Sequence, residues 1–143
     1  MSRTALISIF ALAGAITFAA AQTPATPATG LWRTAEDNGQ VQIYECGVSL
    51  CGRLVTSDQL AAHPDMKDVN NSNEALRGRL LKGANIMSGF SGGPKSWTGG
   101  TLYRPLDGRS YSGRLQLIDA GTLEVTGCMM AAFCQTQTWV RLR

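Results

Sequence analysis

Turn signals recur through this sequence at short intervals from residue 30 onward. Asp37-Asn38-Gly39, Pro105-Leu106-Asp107-Gly108 and Asp119-Ala120-Gly121 combine Gly with Asp, Asn or Pro, and these residues accept the backbone angles that tight turns require. The runs between turns alternate apolar and polar residues, as in residues 110–118 and 122–128. A period of two residues predicts half-buried β-strands rather than helices. Turns about eight to twelve residues apart predict an all-β sandwich or barrel.

The sequence predicts about eight strands, joined mostly by hairpins. They are expected over residues 30–36, 40–46, 51–56, 84–90, 97–104, 110–118, 122–128 and 134–143. Strands joined by hairpins form an up-and-down antiparallel sheet, and closing the sheet into a barrel removes its exposed edges. The predicted fold is therefore all-β, an antiparallel up-and-down barrel. A barrel of about eight strands either is packed solid or holds one small ligand.

One connection, residues 57–83, is long and polar. It contains an Asn-rich stretch, and Ser72 or Asn73 can cap a short helical turn at residues 74–77. Connections of this length in compact domains often carry function. We therefore expect one long loop with a short helix beside the barrel.

The first 21 residues have the pattern of a secretory signal peptide. Arg3 supplies a positive charge, residues 4–21 are uncharged and mostly apolar, and Ala19-Ala20-Ala21 offers a cleavage site. The alternative is an uncleaved membrane anchor, although the apolar run is barely long enough to span a bilayer. Residues 22–29, rich in Pro, Thr and Ala, predict an extended linker. The remainder, residues 30–143, is expected to be a single barrel domain in the periplasm or outside the cell, with no membrane span.

All cysteines follow the predicted cleavage site: Cys46, Cys51, Cys128 and Cys134. An even number of cysteines in an exported chain indicates disulfides. Cys46 and Cys51 flank one predicted turn, and Cys128 and Cys134 flank another, which favours two local bridges. A zinc site of four thiolates is the alternative, but an oxidising compartment disfavours it.

The charge balance excludes some classes of partner. The whole chain carries 13 Lys and Arg against 10 Asp and Glu, and loss of Arg3 with the signal peptide lowers the net charge further. So small an excess of positive charge does not support nucleic-acid binding or electrostatic attachment to a membrane.

The polar connection also holds the residues best suited to catalysis or metal binding. His63, the only histidine, lies near Asp65 and Asp68. However, the one stretch that matches Gly-x-Ser-x-Gly, Gly89-Phe90-Ser91-Gly92-Gly93, leads from a predicted strand through a loop to another strand and not into a helix, so it is no nucleophile elbow. The stretch from Asp68 lacks the Gly and Glu of a calcium loop. We expect no catalytic residues, no metal and no cofactor, and an enzyme using the loop carboxylates ranks last among the hypotheses.

Two groups of residues are candidates for ligand binding. Arg79, together with Arg77, can hold an anionic head group at the barrel mouth, or the two can be solvated or pair with Asp65 and Asp68. Four aromatic residues cluster in the middle strands: Phe90, Trp97, Tyr103 and Tyr111. Such aromatics either line a pocket for a small ligand or fill the core of a small barrel. The sequence leaves both interpretations open.

Several short segments follow one another in a specific order. They are Gly30-Leu31-Trp32, Cys51-Gly52-Arg53-Leu54-Val55, Asp68-Val69-Asn70-Asn71, Leu80-Leu81-Lys82-Gly83, Gly89-Phe90, residues 99–111 and residues 135–141. In order and content they resemble the exported bacterial family called domain of unknown function 2147. This resemblance covers residues 30–143 and implies a lipocalin-like barrel, with no established activity or catalytic residues. Thr56 departs from the pattern, because an apolar or aromatic residue is expected there.

The resemblance to lipocalins gives two residues a structural role. Lipocalins open with Gly-x-Trp, and the Trp packs under an Arg of the last strand. Here Trp32 fits the first part, and Arg141 or Arg143 can supply a cation–π contact.

Two hypotheses of function follow. The first is a periplasmic or secreted lipocalin-like protein that binds a small, partly apolar or amphipathic molecule, with Arg79 and the four aromatic residues as its site. The second is a cell-envelope interaction module with a packed barrel, no small ligand and a protein partner.

Overall fold

The computed structural model describes residues 27–143. Its eight strands are β1 (Gly30–Arg33), β2 (Gln40–Cys46), β3 (Ser49–Thr56), β4 (Asn85–Gly92), β5 (Ser96–Arg104), β6 (Arg109–Asp119), β7 (Thr122–Met129) and β8 (Phe133–Arg141). A short helix, α1 (Asp58–Ala62), and a 3₁₀ turn (Glu74–Leu76) lie in the β3–β4 connection. The predicted signal peptide, residues 1–21, and most of the predicted linker lie outside the described residues.

The sheet closes into a ring. Each strand pairs antiparallel with its neighbours in sequence, and β1 also pairs with β8. The predicted all-β, up-and-down antiparallel barrel is therefore confirmed. Because the strands alternate in direction, the β1–β2, β3–β4, β5–β6 and β7–β8 connections share one end of the barrel, which we call the loop end. The remaining connections and both ends of the described chain share the opposite, terminal end.

Side chains fill the interior of the barrel. Phe90 is fully buried, and its ring lies so close to β5 and β6 that a Cβ atom added at Gly100 would overlap it, while one added at Gly113 would lie 2.7 Å away. Met87 uses the space beside Gly52 in the same way, since a Cβ atom there would lie 2.7 Å from the Met87 sulfur. The glycines on the inward face thus make room for large side chains. The largest side chains in this core include Trp32, Ile43, Met87, Phe90, Trp97 and Leu115.

Trp32 and Arg141 hold the terminal end together. The Arg141 guanidinium lies 4.2 Å from the centroid of the Trp32 ring and donates a hydrogen bond of 2.7 Å to the Thr29 carbonyl. Trp32 Nε1 donates to the carbonyl of Ala28 over 2.9 Å, and Ala28 is fully buried. Residues 27–29, the end of the predicted linker, therefore belong to the packed structure, because their carbonyl groups accept hydrogen bonds from these donors.

Disulfides close two of the hairpins. Cys46–Cys51 bridges β2 and β3, and Cys128–Cys134 bridges β7 and β8, as predicted. No cysteine among residues 27–143 is free, so the alternative of a zinc site of four thiolates is wrong. One bridge lies at the terminal end of the barrel and the other at the loop end.

The β3–β4 connection contains more helix than the sequence pattern predicted. Ser57 caps α1 by accepting a hydrogen bond of 3.2 Å from the Leu60 N–H, and Leu60 is buried. The expected turn near residues 74–77 is present as the 3₁₀ turn, and Asn73 caps it. In the part of the chain that the structure describes, no helix is long and apolar enough to cross a membrane.

Replacing Gly100 with Ala is expected to destabilise the fold, because the added methyl group overlaps the Phe90 ring in the filled core. We expect the free energy of unfolding to fall by about 1–3 kcal/mol, measured by urea denaturation. Gly78→Ala is the control, because a Cβ atom at Gly78 meets no atom within 4 Å. Equal effects of the two substitutions would show that the interior is not tightly packed.

Candidate binding cleft beneath the β3–β4 connection

A buried carboxylate fixes the β3–β4 connection to the barrel. Asp68 is 1% exposed and accepts hydrogen bonds from the Tyr103 hydroxyl (2.5 Å), Asn71 Nδ2 (2.8 Å) and Arg79 Nε (2.8 Å). Tyr103 lies on the outer face of β5, next to the inward-facing Leu102. Burial, followed by the hydrogen bond to Asp68, raises the pKa of Tyr103 to about 12. A buried charge is tolerated only when it is paired and hydrogen-bonded in this way, so the connection is held in one arrangement.

The same connection also packs on the β5–β6 turn. Asn70 Nδ2 donates to the Leu106 carbonyl over 3.2 Å, and the Ser72 N–H donates to the Gly108 carbonyl over 3.2 Å. Gly108 has a positive φ of 69°, and a Cβ atom there would overlap the Asn70 carbonyl. Only glycine permits this close approach. Residues 68–79 are thus attached at two places on the outside of the barrel.

A cleft of about 280 Å³ lies between this connection and the outer face of β4, β5 and β6. Its hydrogen-bonding side chains include Asn73, Asn85, Ser88, Thr101, Tyr103 and Ser110. Leu76 and Ile86 add apolar surface. Pockets that bind small molecules start at about 300 Å³, so the cleft has room for a compact ligand or for part of a larger one.

The positive charge in the cleft is balanced. Arg79 lines the cleft, but its Nη2 lies 2.8 Å from Asp68 Oδ2, and its guanidinium lies 5.3 Å from the centroid of the Tyr103 ring. The cleft therefore offers hydrogen-bond donors and acceptors with a small apolar surface, and no unpaired charge from Arg79. This chemistry suits a neutral polar or amphipathic molecule better than a strong anion.

Comparison with known proteins agrees with the closed barrel. Residues 30–141 match the family model described as "Uncharacterized protein conserved in bacteria (DUF2147)". The chain belongs to the DUF2147 family. A comparison with curated protein sequences finds no match.

A solved structure resembles this DUF2147 domain over most of its length. It is HP1028 from the human pathogen Helicobacter pylori, described as belonging to the lipocalin family. The two chains are 27% identical and superpose with a TM-score of 0.72, over 80% of this chain and 82% of the other. The lipocalin-like fold expected from the sequence is thus confirmed.

The DUF2147 barrel separates the residues that the sequence suggested as a site. Arg79 and Tyr103 both line the cleft. Phe90 and Trp97 are 0% and 2% exposed in the core, and Tyr111 lies across from Leu102 in the β5–β6 ladder, on the inward face. These three side chains lie on the side of the sheet opposite to Tyr103, so they line the interior and not the cleft.

The structure adds residues to the cleft that sequence reasoning missed. Ser88, Thr101 and Ser110 stand on the outer faces of three successive strands. In the sequence they look like ordinary solvent-facing positions of strands that alternate polar and apolar residues. The only available indication was the length of the β3–β4 connection, since a long loop must fold back over some part of the sheet.

A second network of polar side chains spans the loop end of the DUF2147 barrel. Arg104 reaches Glu36 over 3.1 Å and Asp107 over 3.2 Å, and so joins turns on opposite sides of the ring. The Tyr111 hydroxyl donates to Asp107 over 2.5 Å, and this bond raises the pKa of Tyr111. Burial acts to raise the pKa of Asp107, but the hydrogen bonds from Tyr111, the Arg109 N–H and Arg104 outweigh it and lower that pKa.

Tyr103→Phe is expected to weaken the attachment of the β3–β4 connection, because Asp68 stays buried with one donor fewer. The loss in free energy of unfolding should be about 1–3 kcal/mol, measured by urea denaturation at neutral pH. Tyr44→Phe is the matched control, since Tyr44 contacts the Arg53 guanidinium through its ring, which Phe keeps. A loss no larger than in the control would contradict the role assigned to the Tyr103 hydroxyl.

The contribution of Tyr103 to the free energy of unfolding is also expected to depend on pH. Its pKa in the folded protein, about 12, lies above the ordinary value of 10.0. A group with a raised pKa stabilises the fold below its ordinary pKa, and the stabilisation is lost as the pH rises toward the folded value. The difference in unfolding free energy between the native protein and Tyr103→Phe should therefore shrink between about pH 10 and pH 12. A difference that stays constant or grows over this range would refute the assignment.

Proposed function

We propose that this protein is an exported, non-enzymatic binding protein that holds a small, partly apolar molecule in the cleft beneath the β3–β4 connection. The observation that carries the proposal is the cleft itself, a recess of about 280 Å³ beside a fixed loop. The lipocalin-like fold supports a binding role, because barrels of this architecture bind ligands. The two disulfides are consistent with an oxidising, exported environment.

The filled core argues for a ligand outside the barrel. Phe90, Met87 and the buried tryptophans occupy the interior. The space beside the inward-facing glycines is already filled by Met87 and Phe90. A ligand in the interior would have to displace these side chains at a high cost in packing energy. The cleft needs no such displacement.

The lining of the cleft defines the class of ligand. Hydroxyl and amide groups from Ser88, Thr101 and Asn73 can donate and accept hydrogen bonds with a polar neutral group. Leu76, which is 38% exposed, and Ile86 can cover an apolar part. Because Asp68 already pairs with Arg79, we propose a neutral hydrogen-bonding or amphipathic molecule rather than an anion.

Native mass spectrometry of the protein purified from its own cells, without removal of lipids, tests the proposal. A bound molecule of a few hundred daltons that leaves on denaturation is the expected result. A mass equal to that of the polypeptide alone, with no uptake from an extract of lipids and metabolites, would reject it.

Filling the cleft is expected to abolish this binding. Thr101→Trp places a large side chain into the cleft, whereas Thr98→Trp places the same side chain on the same strand at an exposed position that does not line it. The bound mass should be lost in the first variant and kept in the second. Loss in both variants, or in neither, would show that the ligand lies elsewhere.

The alternative function is an interaction module of the cell envelope, without a small ligand. The filled interior favours this alternative, because a packed barrel is a stable support for contact surfaces. It predicts the ligand-free mass in the experiment above.

A further inference from the structure

Strand β8 has an open edge. Strand β1 is only four residues long, and it pairs with β8 only at Val140 and Arg141. Residues 133–139 pair with β7 and with no other strand in the described part of the chain. The ring therefore closes at the terminal end, while the half of β8 near the loop end offers its backbone to a further strand.

The register shows which backbone groups face this edge. Cys128 and Cys134 are directly opposed, with Cα atoms 4.0 Å apart, which is the short spacing of a non-hydrogen-bonded antiparallel pair. Because the pairs alternate along the ladder, the N–H and C=O groups of Cys134, Thr136 and Thr138 point away from β7. The same alternation continues to Leu142, whose N–H donates to a β1 carbonyl over 2.7 Å.

The edge lacks the features that normally keep strands apart. No charged residue and no proline occurs between Glu124 and Arg141, and the β7–β8 ladder has no register shift. Native β-proteins usually block an open edge with Lys, Pro or a bulge. The Cys128–Cys134 disulfide also holds the hairpin in register, so little ordering is needed before another strand pairs with it.

We infer that two copies of this chain pair antiparallel along β8, about a two-fold axis at Thr136. In this register Thr136 faces its own copy, and Cys134 of each copy faces Thr138 of the other. A two-fold axis brings like residues together, so a charge near it would repel its own copy; the uncharged stretch avoids this. Phe133, 74% exposed, comes opposite Trp139 of the other copy, whose side chain is buried in its own core, so no charged side chain meets the exposed Phe133 there.

A lipid surface fits this region less well. Met130 and Phe133 form an apolar tip, 79% and 74% exposed, that by itself suits a membrane. However, the tip adjoins the open edge, and unpaired N–H and C=O groups cannot enter hydrocarbon without a large loss of free energy. A second strand satisfies these groups, and a bilayer does not.

Sedimentation velocity of the disulfide-intact protein, from low to high micromolar concentration, tests the inference. We expect a monomer–dimer equilibrium. Thr136→Pro should shift it to monomer, because proline removes the N–H that faces the edge and leaves the hydrogen bonds to β7 in place. Thr136→Val is the matched control: it also loses the Thr136 hydroxyl, which bonds Thr126, but keeps the N–H and should still dimerise.

A second variant tests the register by crosslinking. Thr136→Cys should form a covalent dimer under mild oxidation, since the two introduced thiols meet at the axis. Thr98→Cys is the control, because Thr98 is exposed on β5, a strand that does not neighbour β8, so its thiol lies away from the axis and should crosslink far less.

Three results would overturn the inference: a monomer at every concentration, a dimer that Thr136→Pro leaves unchanged, or equal crosslinking of the two cysteine variants. Binding of the monomer to phosphatidylcholine vesicles, without dimerisation, would assign the tip to a lipid surface instead. The inference does not depend on the cleft, so failure of ligand binding leaves it intact.

Discussion

The volume inside the ring is the constraint on which the rest of this structure depends. A barrel of about eight strands encloses only enough space for a layer of side chains or one small ligand, and here the side chains take it. Phe90 lies so close to β5 and β6 that positions 100 and 113 have room only for glycine. With the inside filled, polar chemistry is left to the outer face and the two ends of the barrel. The fold is that of a lipocalin-like barrel, while the cleft beneath the β3–β4 connection lies outside the ring.

The outer recess exists because a charge is buried there. Asp68 is buried, and a buried carboxylate is stable only when its oxygens are hydrogen-bonded and paired. Tyr103, Asn71 and Arg79 provide the donors. Each donor comes from a different part of the connection or from β5, so the loop has one arrangement in which the carboxylate is satisfied. The cleft walls are therefore formed before any molecule enters, which lowers the entropy cost of binding.

The sequence predicted the barrel well, and two of the residues that it suggested for a site line the candidate cleft. Alternation and turn residues act locally, so the strands, the hairpins and both disulfides followed from the chain alone. Arg79 and Tyr103 were chosen for their chemistry and do meet in the cleft. Phe90, Trp97 and Tyr111 have the same aromatic character, and what separates them from Tyr103 is the face of the sheet on which each lies. Strict alternation along β5 would put Trp97 and Tyr103 on one face, but the register shifts between Trp97 and Gly100 and so places them on opposite faces. The register also shifts between Leu50 and Arg53 of β3. The fold of the β3–β4 connection back onto the barrel likewise depends on partners far along the chain.

The pairing of the first and last strands is the step of folding that costs the most chain entropy. Every other ladder joins strands that follow one another in sequence, but the bond from Arg141 to Thr29 joins residues 112 positions apart. Closing so long a segment of chain costs more entropy than forming any hairpin, and contacts of this range slow folding. The strands from β2 to β8 can therefore assemble first as an open, curved sheet. We therefore expect the ring to close last, when the guanidinium of the final strand reaches the indole of the first.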